Sequence, residues 1–168
     1  MQKKSDFLII IKKIFNFSSW LLWYFYYILQ AYNKYINKKF LIMKEFILKS
    51  RSGEIIFQLQ ATTFKKALEK ASRINISLTD AALEGHDLQG VNLKGCDLRR
   101  VNLRGANLEK ANLQGCNLGK ANLMGANLKK ANLGWAHIHG ACLIKADLTG
   151  ANLDSVDRTF ANFELAKV

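Results

Sequence analysis

Few residues of this chain could carry chemistry, and they are three cysteines, three histidines and scattered charged side chains. His137, His139 and Cys142 lie close together in the sequence, and imidazole and thiolate are ligands that zinc prefers. Cys96 and Cys116 are the other two thiols. Whether any of these groups converge depends on how the backbone places them.

Catalytic motifs are missing from the sequence. There is no Ser-His-Asp grouping, glycine-rich phosphate loop or pair of carboxylates at a spacing that would make them converge. The glycines recur at a fixed period, which is typical of a structural role. We therefore predict that the protein is not an enzyme and uses no cofactor.

A leucine at every fifth position dictates the elements that hold these residues. Leucine, or once isoleucine, stands at 15 successive positions from Leu83 to Leu153. Asn or Asp comes directly before it in 12 of the 15 pentads, and Ala stands two before it in 10. An α-helix would scatter residues five apart around its axis, and a flat strand would alternate them between faces. The backbone must therefore turn once per pentad, so that all the leucines point at one axis.

The remaining pentad positions fit such a turning backbone. Asn and Asp suit a corner because their side chains bond nearby backbone groups. Glycine recurs at the last place of the pentad, as at Gly95 and Gly115, where a tight corner favours it.

Runs such as Ala106–Lys110, Ala111–Gly115 and Ala146–Gly150 resemble pentapeptide-repeat proteins. The resemblance covers about half of the chain. It implies an all-β fold, a right-handed quadrilateral β-helix with four pentads per coil, in which residues 20 apart stack on one face. We expect rung-to-rung hydrogen bonds in the asparagine ladder at Asn92, Asn112, Asn132 and Asn152.

Stacking on this coil also answers the question of the thiols and histidines. Cys96 falls beneath Cys116 at the inward small position, so we interpret both as small buried apolar residues. Cys142 takes a corner position, and an accessible free thiol there fits a reducing compartment. His137, His139 and Cys142 occupy different corners or point outward, so we expect no metal site. His86 points inward near the first coil, facing the segment before it.

Residues 43–75 are predicted to form a small α+β N-terminal cap on the β-helix of residues 76–168. A hairpin is indicated by two apolar runs on either side of the turn at Ser50–Gly53. A short helix, capped by Thr62 or Thr63, follows at helical apolar spacing.

Residues 1–42 form a basic, aromatic-rich hydrophobic segment. No charged residue occurs from Ile14 to Asn33, and a helix of these 20 residues would just span a bilayer core. We expect a membrane-associated segment that anchors a cytoplasmic repeat domain. An interfacial helix and a start codon placed too early, with translation beginning at Met43, are the alternatives.

The distribution of charge and the residues at the C-terminal end of the repeats indicate where a partner could bind. The net charge is +12, of which +6 lies in residues 1–42 and only +3 in residues 81–168. Two sets of outward residues are candidates. The predicted partner surface is Arg99, Arg100, Lys120, Lys110 and Lys130, and the predicted dimer end is Phe160, Phe163 and Leu165. Basic side chains that only keep the rod soluble are the alternative for the first set.

The predicted function is a non-enzymatic scaffold for protein–protein interaction, with an unknown protein partner, a homodimer through the C-terminal coils and membrane contact through residues 14–33. The resemblance also suggests a topoisomerase (gyrase)-binding protein that mimics DNA, although the outward acids are few and the charge has the opposite sign. A third alternative is a secreted effector that binds anionic membranes or nucleic acid. We do not expect nucleic acid as the partner, because the repeats are only mildly basic.

Overall fold

The structure, a computed structural model, describes residues 43–168 and, before them, only Ile28 and Ala31, which are helical and exposed. The uncharged segment of the N-terminal region otherwise lies outside the described residues, so its membrane association stays a prediction. Among the described residues no helix is long and apolar enough to cross a bilayer. The chain divides into two units, Met1–Met43 and Lys44–Val168, and the second unit contains all of the repeats.

An antiparallel hairpin opens the second unit. Strand β1 spans Lys44–Lys49 and pairs with β2, Ile55–Ala61, with Leu48 opposite Phe57. Alternation of apolar and polar residues buries one face of each strand, and these two side chains are almost fully covered.

Helix α1 follows at Phe64–Arg73. Its N-cap is Thr63, whose hydroxyl accepts the backbone N–H of Lys66 at 3.2 Å. The Thr62 hydroxyl is instead buried without a hydrogen-bond partner among the described residues. The helix buries its apolar stripe, Ala67, Leu68 and Ala71, at the spacing of successive turns.

The hairpin and helix bond directly to the first edge of the coil. The N–H of Ala82 donates to the Lys49 carbonyl at 3.0 Å, and the N–H of Asn92 donates to the Glu69 carboxylate at 3.1 Å. Both amides would otherwise be unpaired, because the coil has no earlier turn to accept from them. These bonds close an edge that could pair with another strand.

The repeats form a coil in which the residue before each axis leucine forms a β-bridge with the residue 20 positions later. Asn92 bridges Asn112, and Asn112 bridges Asn132, always in parallel. At the bridge between Asn92 and Asn112, the N–H of Leu93 donates to the Asn112 carbonyl at 2.9 Å, and the N–H of Asn112 donates to the Val91 carbonyl at 2.8 Å. The same two bonds recur on all four sides, so each coil consists of four very short strands.

A hydrogen-bonded turn joins one side to the next, as where Cys96 N–H donates to the Leu93 carbonyl at 3.0 Å. The third residue of the turn has positive φ, as type II turns require. Glycine meets that requirement at positions such as Gly95, with φ of 70°. Ten other residues at the same corner also have positive φ, between 54° and 61°. The predicted glycine corner therefore describes fewer than half of the turns.

The core is a stack of leucines on the coil axis with small residues beside them. Every axis residue from Leu83 to Leu148 is at most 1% exposed. The neighbouring small positions are equally covered, as at Ala111 and Ala131. Burial decreases in the last coil, where Leu153 and Phe163 are only partly covered.

The predicted asparagine ladder needs a correction. The carboxamide oxygens of Asn92 and Asn112 accept backbone N–H groups two residues ahead, at 3.3 and 3.2 Å. Rung-to-rung bonds between side chains form on two other sides, where Asn127 donates to Asn107 at 3.0 Å and Asn122 to Asn102 at 3.3 Å. The asparagine side-chain oxygens accept the backbone N–H groups of the following turn, and only some of the side-chain NH2 groups are aligned with an asparagine of the next rung.

Candidate functional site

One side of the coil carries most of the residues singled out from the sequence. We call it the Leu118 face: the outward residues around the stacked Leu98, Leu118 and Ile138, with the corners on either side. The outward residues used below are Asp97, Arg99, Arg100, Gly119, Lys120, Trp135, His137, His139, Asp157 and Phe160.

The arginines of this face are held by carboxylates. Arg99 donates to Asp97 through Nε at 2.8 Å and through Nη2 at 2.7 Å. Arg100 donates from Nε to Asp80 at 2.9 Å, and Arg51 reaches the same carboxylate at 3.5 Å. The guanidiniums are therefore fixed in place, and the acids among them are already neutralised.

Below the arginines lies a shallow depression of about 390 Å³, lined by both arginines, Asn117, Gly119, Lys120, His137 and His139. Its floor is open because Gly119 has no side chain. A Cβ there would lie 3.2 Å from Asn117 Oδ1 and 3.9 Å from Arg99 Cγ. Lys120, unlike the arginines, has no carboxylate within salt-bridge distance among residues 43–168.

Aromatic side chains occupy the C-terminal half of the same face. His139 and Phe160 meet edge to face, with ring centroids 5.4 Å apart. Phe160 is 84% exposed and Trp135 is 65% exposed. Both lie at corners with positive φ, 57° and 61°, a conformation that costs an L-residue roughly 1–2 kcal/mol. Neither ring repays this cost by burial in the fold.

The predicted basic residues lie at two corners of the coil, in the two aligned pairs that the 20-residue stacking predicts. Arg99, Arg100 and Lys120 meet on the Leu118 face. Lys110 and Lys130 stack with each other at the corner two pentads away, which is half of a four-sided coil. Lys110 is also paired with Glu109 at 3.4 Å. The five residues therefore do not form one surface.

Carboxylates at the bridging positions, directly before the axis residues, make the stability of the fold depend on pH. Hydrogen bonds from the Arg99 side chain hold the pKa of Asp97 at about 2, and those from Thr149 do the same for Asp147. Because the folded pKa lies below the usual 3.8, the stabilisation is complete above about pH 4 and is lost as pH falls towards 2. We expect urea unfolding to shift to lower urea between about pH 5 and pH 3. Asp97→Asn and Asp147→Asn should each reduce that shift, and an unchanged shift in the double variant would contradict this cause.

The three residues of the predicted dimer end do not all lie on the end surface of the coil. Phe163 takes the axis position in the last coil and is half-buried, whereas Phe160 and Leu165 stand at corners and are exposed. Arg158 replaces an axis leucine, and its guanidinium reaches the Leu153 carbonyl at 3.5 Å.

The cysteines and histidines differ in burial, and Cys142 lies at a bridging position within a side of the coil and not at the predicted corner. Cys116 is fully buried and its thiol donates to the Leu93 carbonyl at 2.9 Å, while burial raises its pKa to about 12. Cys142 is half-buried and stands on the next side from His137 and His139. No group of three or more metal-ligating side chains converges within the described residues. His86 packs against Phe64 of α1, with centroids 4.8 Å apart.

Sequence reasoning missed the grouping of Trp135, His137, His139 and Phe160. The first three alternate with inward residues along one side, and Phe160 follows one coil after Gly140. Writing the sequence in rows of 20 would have aligned them.

Comparison with known proteins identifies the repeat. The family described as pentapeptide repeats matches in 8 copies, over residues 76–115, 106–143 and 131–167. Together the matches cover more than half of the 168 residues. No curated protein matches the chain.

Solved structures resemble parts of the chain. HetL, a pentapeptide repeat protein involved in heterocyst differentiation regulation from the cyanobacterium Nostoc sp. strain PCC 7120, is 38% identical; 51% of this chain and 39% of HetL are covered, with a TM-score of 0.49. Rfr23 from the cyanobacterium Cyanothece 51142 is 32% identical, with 55% and 63% covered and a TM-score of 0.27. QnrB1, a plasmid-mediated fluoroquinolone resistance protein, is 23% identical, with 47% and 41% covered and a TM-score of 0.33. The matched region thus spans less than two thirds of each of these proteins.

Proposed function

This chain belongs to the pentapeptide-repeat family, and on that premise we propose that it is a non-enzymatic scaffold whose outer faces bind a protein partner. Family membership implies a right-handed quadrilateral β-helix. The observation that carries the proposal is the contrast between the inside and the outside of the coil. Axis residues are almost invariant and fully buried, while outward residues differ from rung to rung. Specificity can reside only where residues vary.

A scaffold with a defined binding face can be tested by photocrosslinking. Lys110, Lys120, Trp135 and Lys145 each stand at a different corner of the coil, at the same turn position. A photoreactive amino acid at each corner in turn should crosslink one partner from one or two adjacent corners. Equal crosslinking from all four corners, or from none, would contradict a defined face.

The hairpin and α1 act, in this proposal, as a cap. They use the amides of Ala82 and Asn92 that would otherwise face solvent as an open strand edge. Their removal should therefore expose a surface that pairs with other chains.

Gyrase binding by DNA mimicry is the alternative function, and the charges argue against it. Glu109, Asp147 and Asp97 each lie within 4 Å of a cationic side chain, so they do not form an acidic stripe. We expect no effect on DNA supercoiling by gyrase at stoichiometric protein.

Apolar residues of the last described coil support a homodimer. Half-buried Phe163 and exposed Leu165 would be covered by a second copy. We expect Phe163→Glu to convert a dimer of the chain to a monomer in sedimentation, because the carboxylate would be buried without a partner. Lys110→Glu, more than two coils before Phe163, is the matched control and should leave the dimer intact. A wild-type monomer at all accessible concentrations would sink this idea, and Arg158 would then be the residue that blocks stacking.

The N-terminal segment is proposed to hold the repeat domain at the cytoplasmic side of a membrane. Its support is the uncharged run between lysine clusters. The full chain should then sediment with membranes and stay there in high salt, since salt screens charge attraction but not buried apolar area. Mass spectrometry of the native N-terminus separates this from translation starting at Met43.

A further inference from the structure

The Leu118 face combines two features that the scaffold function does not use. Its N-terminal half presents fixed cations around a depression, and its C-terminal half presents exposed rings. Both lie on one surface because the 20-residue period stacks Arg99, Gly119 and His139 in one column and Arg100, Lys120 and Phe160 in the next. Neighbouring rungs are roughly 5 Å apart, so Lys120 lies one or two rungs from the rings and Arg100 lies two or three.

The cations can accept an anion because the local acids are occupied. Asp97 accepts both donors of Arg99, and Asp80 lies between Arg100 and Arg51. A guanidinium has five N–H donors, so each arginine keeps donors free for another acceptor. Lys120 adds a charge without a carboxylate partner in the described part of the chain.

Asp154 and Asp157 are the acids near the rings: the Asp154 carbonyl accepts the Trp135 N–H at 2.9 Å, and the Asp157 carboxylate is engaged by its own turn. Asp157 accepts from the Thr159 hydroxyl at 2.5 Å and from the Thr159 amide at 3.0 Å. Those hydrogen bonds, together with the charges of His139 and His137, lower its pKa. Asp157 is thus held against the coil by its own turn.

The exposed rings offer surfaces on which a ligand could stack. Trp135 and Phe160 are mostly in solvent, and the contact of Phe160 with His139 leaves its ring 84% exposed. Glycine serves at the same position elsewhere, as at Gly115 and Gly140. A large aromatic residue there places a flat apolar surface beside the cationic depression.

We propose that the Leu118 face binds single-stranded nucleic acid, with phosphates over the depression at Arg100 and Lys120 and bases stacked on Trp135 and Phe160. Cations along a backbone path and aromatic platforms beside it are the means by which proteins hold single strands without reading sequence. A duplex keeps its base faces stacked inside, so it cannot use the rings. The repeats are only mildly basic overall, and on this face Lys120 is a cation that no carboxylate pairs among the described residues.

The test measures the anisotropy of a fluorescein-labelled 15-nucleotide oligothymidylate with the full chain. We expect Trp135→Ala and Lys120→Glu each to weaken binding about tenfold, because one stacked base or one phosphate contact contributes about that much. Lys110→Glu is the matched control. It changes the same residue type at the same turn position on the opposite corner, and it should leave the affinity within about twofold. Circular dichroism of each variant verifies that the coil is intact.

Three results would overturn the proposal: no binding of the oligonucleotide by the wild-type chain, equal losses in Lys120→Glu and Lys110→Glu, or unchanged affinity in Trp135→Ala. Competition separates the class of ligand. An unlabelled single strand should displace the probe well below the concentration needed of duplex DNA or polyglutamate. Displacement by polyglutamate at the same charge concentration would instead assign the face to an acidic protein segment.

Discussion

Leu113→Lys is expected to unfold most of the repeat domain. Leu113 is fully buried at the middle of the axis, with other leucines above and below it. A lysine there must either bury its charge or give up its proton, and a pKa shift of three to four units corresponds to roughly 5 kcal/mol. That loss is comparable with the whole stability of a typical domain. Urea unfolding of residues 43–168, followed by circular dichroism, measures it.

Gln114→Lys is the control for this substitution. It introduces the same side chain one residue further on, where the position points outward and is half-buried. We expect its free energy of unfolding to change by no more than about 0.5 kcal/mol. Similar losses in the two variants would show that the axis is not a dry core.

The second large effect is expected from Ala131→Leu. Ala131 is 1% exposed beside the axis, and the largest fully buried side chains at this position elsewhere in the coil are Val91 and Val101, which are smaller than leucine. Overpacking of this kind costs about 1–3 kcal/mol because neighbouring side chains or the backbone must move.

Ala151→Leu tests the same change in the same column of the coil. Ala151 is only partly buried in the structure. The added atoms can extend past the end of the stack, so this variant should lose less stability than Ala131→Leu in the same urea titration. Equal losses of unfolding free energy in the two variants would show that the cost does not come from local overpacking around Ala131.

The five-residue period was sufficient to predict the axis and the small positions beside it. Both follow from counting, since a single direction of burial every five residues allows few backbones. The family match confirms the repeat. The same counting could not reveal that Lys120 or Trp135 adopts positive φ, because side-chain periodicity says where a residue points and not how its backbone is twisted.

The candidate surface was harder to predict for a related reason. Arg100 and Lys120 are 20 residues apart and share a corner, whereas Lys110 lies ten residues from each and falls on the opposite side. The 20-residue stacking implied by the family resemblance already aligns Arg100 with Lys120 and Lys110 with Lys130. The exposed rings were missed because Trp135 and Phe160 are distant in sequence and become neighbours of the cations only through stacking.

The constant pairing of each residue with one 20 positions away has a consequence for synthesis on the ribosome. A new coil needs only the coil before it, and the first coil can use the hairpin and α1 as its template. Sequence separation between partners stays the same however many coils are added, so chain closure becomes no harder towards the C-terminus. Each newly emerged stretch of about 20 residues can therefore join the growing stack while the rest of the chain is still being translated.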